Sequence, residues 1–192
     1  FFRIDQHVND KYILQSILDV MGADNKITFN QNMSRISIYS KEIFQDIKNL
    51  GGVERKSLVC QFPEIPNDYI ADFVRGNFDG DGCIYFEKRM GMREKLVIKR
   101  IRTIFTSGSR VFLENMDKTL KAFGVTNGKI YKSKRSYQSV YNNKDSIKMF
   151  ELIYSKTGVN SFFMRKFKIF KEYFELRPVA VNATIREILK LH

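Results

Sequence analysis

The chain has 192 residues, 43% of them hydrophobic and 14% aromatic, a composition that sustains one sizeable core or two small ones and excludes a disordered polypeptide. Lysine and arginine outnumber aspartate and glutamate 33 to 21, and the resulting net charge of +12 is scattered along the whole length, which favours a folded polyanion-binding surface with nucleic acid as the leading partner. With only His7 and His192, with Cys60 and Cys83 far apart, and with no G-x-S-x-G or G-x-x-x-x-G-K, the chain offers no multi-histidine hydrolase, zinc knuckle, disulfide framework or phosphate-binding loop.

Carboxylates, lysines and metals are the chemistry that remains. No apolar run reaches the roughly 20 residues of a bilayer span, and the first residues, FFRIDQHVND, have no signal-peptide order. An intracellular protein without a membrane partner is expected, in cytoplasm, nucleoid or an organelle matrix.

In chain order, the spacing of Ile13, Leu14, Ile17, Leu18 and Met21 predicts a helix capped at Asn9 or Asp10 and stopped at Gly22. The period then changes. Ile27, Phe29, Ile36 and Ile38 alternate with Lys26, Thr28, Asn30, Arg35, Ser37 and Tyr39, so a hairpin buries the first set and shows the second to solvent. A second helix follows in KEIFQDIKNLGG with Ser40 as its cap.

The same order of elements returns later. A helix carrying Phe112, Leu113, Met116, Leu120 and Phe123 is followed by the hairpin KIYKSKRSYQSVYN and the helix DSIKMFELIYSKTG. Residues 34–40, SRISIYS, lie opposite residues 136–142, SYQSVYN, and Gly22 lies opposite Gly124, which marks two copies of one supersecondary unit. Between the copies stands RKSLVCQFPEIPND, whose two prolines end one element and prepare the next.

The stretch YIADFVRGNFDGDGCIYF, residues 69–86, conflicts with its own local rules. Read as a helix from Asn67 or Asp68, it lays Ile70, Phe73, Val74 and Phe78 on apolar faces and puts Gly76 and Gly80 on one side. Each glycine costs about 1 kcal/mol relative to alanine, which makes sense only where another backbone approaches closely. Asp79 and Asp81 fall in the last turn, where the helix dipole disfavours negative charge, and Gly82 supplies the stop. A divalent cation would satisfy a carboxylate crowded there. An EF-hand loop is excluded, because counting from Asp79 the sixth position is Ile84 rather than glycine and the twelfth is Met90 rather than glutamate.

On these residues the chain resembles the LAGLIDADG homing endonucleases. VRGNFDGDG, residues 74–82, is similar to the family signature, with Val74 and Arg75 in place of Leu-Ala, and FPEIPNDYIADFVRGNFDGDGCI resembles the second motif of its two-repeat, single-chain members. The resemblance implies an α/β (α+β) fold: a pseudo-two-fold pair of αββαββα units with antiparallel DNA-binding sheets. It implies an incomplete first unit at 1–66 lacking its motif helix, a second unit at 67–177, and a tail at 178–192 that the spacing of Ile185, Ile188 and Leu189 makes a short helix. A monomer with internal pseudo-symmetry is expected if the first motif stands upstream, and a homodimer otherwise.

For chemistry, the resemblance implies hydrolysis of both strands of a long double-stranded DNA site with Mg²⁺, Mn²⁺ serving as a substitute. The motif helices pack through Gly76 and Gly80, Asp81 and the Gly80 carbonyl hold the metal, and Asp79 is a structural helix-end residue. Lys56 is the basic residue expected of the first repeat, Arg165 or Lys166 that of the second, and Gln6 the polar residue that organises water, with Ser107 or Gly108 as its counterpart. The ribbons follow from strand geometry, since alternate outward residues of an antiparallel pair can enter the major groove. The first hairpin offers Lys26, Thr28, Asn30, Arg35, Ser37 and Tyr39. The second offers Lys129, Tyr131, Ser133, Tyr137, Ser139 and Tyr141, and the hairpin of imperfect alternation between them adds Lys88, Arg93, Lys99, Arg100 and Arg102. Two other readings keep the basic ribbons: a DNA-binding regulator without cleavage, and an RNA-binding intron maturase.

Overall fold

The computed structural model describes residues 1–51, 60–91, 96–158 and 161–191. Two units follow one another. The first runs β1 (Phe2–His7), α1 (Lys11–Met21), β2 (Thr28–Asn30), β3 (Met33–Ile38) and α2 (Lys41–Asn49). The second runs α3 (Asn67–Asp81), β4 (Cys83–Met90), β5 (Leu96–Ser107), α4 (Arg110–Lys121), β6 (Lys129–Ser133), β7 (Ser136–Asn142) and α5 (Lys144–Tyr154), followed by α6 (Met164–Leu176) and α7 (Ala183–Leu191). From α3 to α5 the order is αββαββα. Both sheets are antiparallel, ordered β1-β3-β2 and β4-β5-β7-β6.

Local chemistry sets the boundaries. The Ser40 hydroxyl accepts from the Ile43 N–H at 3.1 Å and opens α2, as the sequence predicts, and Ser109 opens α4 in the same way on Phe112 at 3.2 Å. Left-handed Gly22 ends α1. Gly82 ends α3 for a different reason from the one its sequence position suggests. Its backbone is extended, and a Cβ there would lie 2.5 Å from the Phe78 carbonyl oxygen and 2.8 Å from the Phe78 Cα, so only glycine lets the chain leave so close to the helix.

Each sheet buries one face under helices. In the first unit Leu14 and Leu18 of α1 meet Ile36 and Ile38 of β3. Phe29 does not join them: it is 59% exposed on the edge strand β2, with the Lys11 amine 5.9 Å from its ring, so the predicted inward set loses one member. In the second unit Ile70, Val74 and Phe78 of α3 pack on Ile84, Ile101 and Phe105 of β4 and β5 and on an aromatic group from α5 and α6. Phe150 lies 5.0 Å from Phe170, 4.9 Å from Phe174 and 5.1 Å from Tyr154, ring centre to ring centre. Ile185 and Ile188 of α7 are buried in this same core and Leu189 packs against it, as their spacing predicts. No helix among the described residues is long and apolar enough to cross a membrane.

Strand phase corrects part of the expected DNA face. In β7 the residues Ser139 and Tyr141 are fully buried and Tyr137 packs against the core, whereas Gln138, Val140 and Asn142 point the other way. Because strand side chains alternate with period two, a one-residue misalignment exchanges the faces, and the opposition of residues 34–40 to 136–142 carries that error. Ser34, Ile36 and Ile38 are buried in β3; Tyr137, Ser139 and Tyr141 are their equivalents on the covered face of β7. A β-bulge between Glu87 and Lys88 similarly accounts for the imperfect alternation of the β4–β5 hairpin: Glu87 pairs with Arg100, and Lys88 pairs with buried Ile98. Lys88 is thereby turned toward α6, where its amine meets Glu172 at 2.9 Å.

Candidate functional site

Asp81 is the last residue of α3, its side chain exposed, while Asp79 two positions earlier is 7% exposed. The two carboxylates thus have different surroundings. Asp79 Oδ2 accepts from the Phe163 N–H at 3.0 Å, Oδ1 has no partner among the described residues, and burial pushes its pKa up to about 6. This fits the helix-end role expected of Asp79.

Four carbonyls at a helix C-terminus have no partner within the helix. Here Lys166, from the first turn of α6, inserts its amine among them, donating to the carbonyl oxygens of Phe78, Asp79 (2.8 Å) and Gly82 (2.5 Å), over the Phe78 ring at 4.9 Å. Burial lowers its pKa to about 8. With 5% of its surface exposed and its three donors engaged, Lys166 does not stand free to polarise a water beside Asp81, and the expectation that it does is corrected. Its place on the buried side of α6 next to Phe167 and Phe170 draws the amine inward. Arg165 remains largely exposed, stacks on Phe163 at 4.6 Å and meets Asp10 of the first unit at 3.2 Å.

Gly76 and Gly80 are exposed, and a Cβ on either would meet nothing within 4 Å. Their helix borders a groove of about 930 Å³ that receives Tyr69, Phe73, Asn77 and Asp81 from α3, Ile47 and Leu50 at the end of α2, and Thr106, Ser107 and Gly108 at the end of β5. The glycine side of α3 is therefore open among the described residues. Strand register identifies Ser107 as the equivalent of Gln6: Ser107 lies opposite Tyr137, and Gln6 lies opposite Ser34, both on helix-covered faces. Lys56 and Arg93 lie outside the described residues.

The oxygen donors at the exposed tip of α3 that Lys166 does not engage, the Asp81 carboxylate and the Gly80 carbonyl, suit a hard divalent cation. Among the described residues no three acidic, histidine or cysteine side chains converge on one point.

The uncovered sheet face has its own charge network. Arg100 meets Glu87 at 2.8 Å, and Arg102 donates to the Tyr85 hydroxyl at 2.9 Å and the Asn142 side-chain oxygen Oδ1 at 3.0 Å while lying 3.5 Å from Glu87. Lys99 stands 3.6 Å from the other Glu87 oxygen. The hydrogen bond from Arg100 holds Glu87 below its ordinary pKa. By register Lys129, Tyr131 and Ser133 share this face with Gln138 and Asn142. On the first sheet Arg35 meets Asp5 at 2.5 Å and Arg3 meets it at 3.2 Å; Lys26, Thr28, Asn30 and Tyr39 are exposed and Ser37 half-buried. The sequence reading missed Tyr85, Glu87, Gln138 and Asn142, which a correctly phased alignment of β7 and a bulge in β4–β5 would have exposed. It also missed a basic hollow of about 420 Å³ formed by Arg110, Lys132, Lys134 and Arg135 at the far end of β6–β7.

Residues 68–162, from α3 through α5, match the family model described as a LAGLIDADG-like domain. This chain belongs to the LAGLIDADG family. Its fold is that of the family's meganucleases. The meganuclease I-CpaMI, solved bound to uncleaved DNA, aligns over 99% of this chain and 86% of its own with a TM-score of 0.59 at 14% identity. I-AabMI, also bound to uncleaved DNA, aligns over 99% and 87% with a TM-score of 0.57 at 13% identity. I-SmaMI, bound to an uncleaved DNA target in the presence of calcium ions, aligns over 97% and 85% with a TM-score of 0.58 at 14% identity. The search of curated proteins found no match. In this LAGLIDADG chain the signature occupies the second half of α3, and the matched span stops just before the residues that fasten its end.

Proposed function

We propose that this protein is a site-specific endonuclease that grips double-stranded DNA on the uncovered faces of its two sheets and hydrolyses phosphodiester bonds at the C-terminal end of α3. The observation that carries the reading is the contrast between Asp79 and Asp81: of two acids separated by one residue in one motif, one is buried and hydrogen-bonded, and the other is presented to solvent at the edge of a groove that the end of β5 also lines.

Asp81 and the Gly80 carbonyl hold a divalent cation, with Mg²⁺ the expected ion. When bound, such an ion supplies charge stabilisation for the phosphorane-like transition state and a water of lowered pKa. Asp81 fixes where that charge sits. Ser107, close by along the groove, and Gln6 on the first unit are the side chains that orient water by hydrogen bonding. Arg100, Arg102, Lys99, Lys129 and Arg35 neutralise phosphate and reach base edges, with Tyr131, Asn142 and Gln138 as neutral readers. The second carboxylate that a paired site requires comes from an acidic helix laid along the glycine side of α3, from the same polypeptide or a second copy.

Cleavage of a randomised duplex library in Mg²⁺ tests this reading: the intact protein cuts a subset of sequences, and Asp81→Asn binds them without cutting. Equal cutting by both proteins would remove Asp81 from the chemistry. Retained binding with no cutting by the intact protein would favour the second reading, a LAGLIDADG-fold DNA-binding regulator, with which the lack of any three converging acidic, histidine or cysteine side chains among the described residues agrees.

A further inference from the structure

Five consecutive residues, Phe162 to Lys166, tie together parts of the molecule that are otherwise distant in sequence. The Tyr12 hydroxyl of α1 donates to the Phe162 carbonyl at 3.1 Å and accepts from the Met164 N–H at 2.8 Å, so one side chain of the first unit clips both sides of residue 163. The N–H of that clipped residue donates to Asp79 at 3.0 Å. Arg165 reaches back to Asp10, and Lys166 closes the last turn of α3 on the carbonyls of Phe78, Asp79 and Gly82. Asp81 sits between Asp79 and Gly82 with no such anchor of its own among the described residues, and the positions on both sides of it are held by this one segment.

We infer that Phe162–Lys166 is a positioning strap that couples docking of the first unit to the placement of the Asp81 carboxylate, with Lys166 and Tyr12 as its positioning residues. The physical basis is that helix ends fray unless their carbonyls find donors. The strap supplies a cation where the helix dipole is most negative, a charge-assisted bond worth more than a neutral one. Loss of the amine takes a donor from the Asp79 and Gly82 carbonyls in a largely buried setting and leaves the Phe78 carbonyl with the Gly82 N–H, and the last turn, Asp81 included, loosens. Loss of the Tyr12 hydroxyl frees residues 162–164 from the first unit and passes a smaller loosening along the same route. The sheets that carry the basic face are built without these contacts, so DNA affinity is spared.

The part that concerns metal rests on the proposed role of Asp81, and the test separates the two. Amide hydrogen exchange is followed on the full chain in metal-free buffer for Gly82, whose N–H bonds the Phe78 carbonyl at 2.9 Å, and for Ile101 in β5 as an internal control. Lys166→Met is expected to speed Gly82 exchange by about 10-fold or more, the scale of one charge-assisted hydrogen bond. Tyr12→Phe, which keeps the ring and its packing, is expected to speed it about 3-fold, near the low end for a neutral bond. Lys166→Arg restores at least half of the lost protection, since a guanidinium also donates to carbonyls.

Unchanged Gly82 exchange in Lys166→Met, or equal acceleration at Gly82 and Ile101, overturns the strap. If Lys166→Met does not fold, Gly82 exchange as slow as wild type in Tyr12→Phe overturns the coupling. On cleaved DNA, the strap predicts that Lys166→Met raises the Mg²⁺ concentration for half-maximal cutting about 10-fold while DNA affinity is unchanged, and that Lys166→Arg brings it back. If Asp81→Asn cuts as well as the intact protein, the site reading fails, and the exchange data still decide the strap.

Discussion

The first unit and the second half of the second unit are two versions of one design. The sequence β1–α1–β2–β3–α2 matches β5–α4–β6–β7–α5 element for element, and the sheet orders β1-β3-β2 and β5-β7-β6 are the same. They differ in what stands beside them. The second version continues into β4 and α3 and is backed by α6 and α7, giving an extensive aromatic core; among the described residues the first has a hydrophobic core of Leu14, Leu18, Ile36 and Ile38 with no fully buried aromatic ring. The difference teaches that the repeat alone specifies a frame, whereas the aromatic layer from α5 and α6 supplies most of the burial. The first unit leans on that layer through Tyr12 and Arg165.

The largest expected effect contrasts the two cores. Phe150→Ala, at the centre of the aromatic group, should destabilise the protein by about 3 to 5 kcal/mol in urea unfolding, and Leu18→Ala in the small core by about 2 to 3 kcal/mol. Equal losses, or a larger one for Leu18→Ala, would break the view that the cores are unequal.

Next in size is the face proposed to bind DNA. Arg102, held by Tyr85 and Asn142, is preorganised for a base or phosphate, so Arg102→Ala should weaken binding to a selected duplex by about 1 to 3 kcal/mol, read by titration at fixed salt. Tyr141, buried with its hydroxyl on Asp117 at 3.1 Å, should behave oppositely: Tyr141→Phe costs about 1 kcal/mol of stability and leaves DNA affinity unchanged. A binding loss for Tyr141→Phe matching that of Arg102→Ala would reverse the assigned strand phase.

The acid pair gives a pH signature. Asp79 is raised from 3.8 to about 6 in the folded state, above its unfolded value, so the native protein holds the extra proton more tightly. The stability this contributes is fully present below about pH 4 and is lost as pH rises through about 6, a cost on the order of 1 to 3 kcal/mol at neutral pH. Asp79→Asn retains an oxygen to accept from Phe163 and should flatten that slope in metal-free denaturation between pH 4 and 7; an unchanged slope would place the titration elsewhere.

Much of this architecture was legible from patterns. The 3.6-residue spacing in α1, the Ser40 cap, the Gly22 stop and the glycine-flanked acids of α3 each follow from a local rule, and their structures agree. What escaped the sequence has one physical character: it depends on partners far along the chain. The phase of β7 turned on a one-residue slip that an ungapped repeat alignment cannot sense, and Lys88 was inverted by a bulge. Lys166 looked like a free cation because nothing in FFMRKFKIF says that its amine reaches the end of a helix more than eighty residues earlier. Arg75 is a parallel case. In place of a small motif residue, it donates to the carbonyls of Ile153 and Ser161, both at 3.2 Å, and to the Thr157 hydroxyl at 2.8 Å, closing the end of α5 as Lys166 closes the end of α3.

The central claim is that two acids in one motif divide the work, Asp79 holding the helix end and Asp81 the metal. Single-turnover cutting of a library-selected duplex in Mg²⁺, compared between Asp79→Asn and Asp81→Asn, tests it most directly. The account predicts that Asp81→Asn lowers the cutting rate by at least about 100-fold with duplex affinity retained, the scale of losing a metal-binding carboxylate, whereas Asp79→Asn stays within about 10-fold of the intact protein. Cutting that survives in Asp81→Asn and vanishes in Asp79→Asn would contradict it.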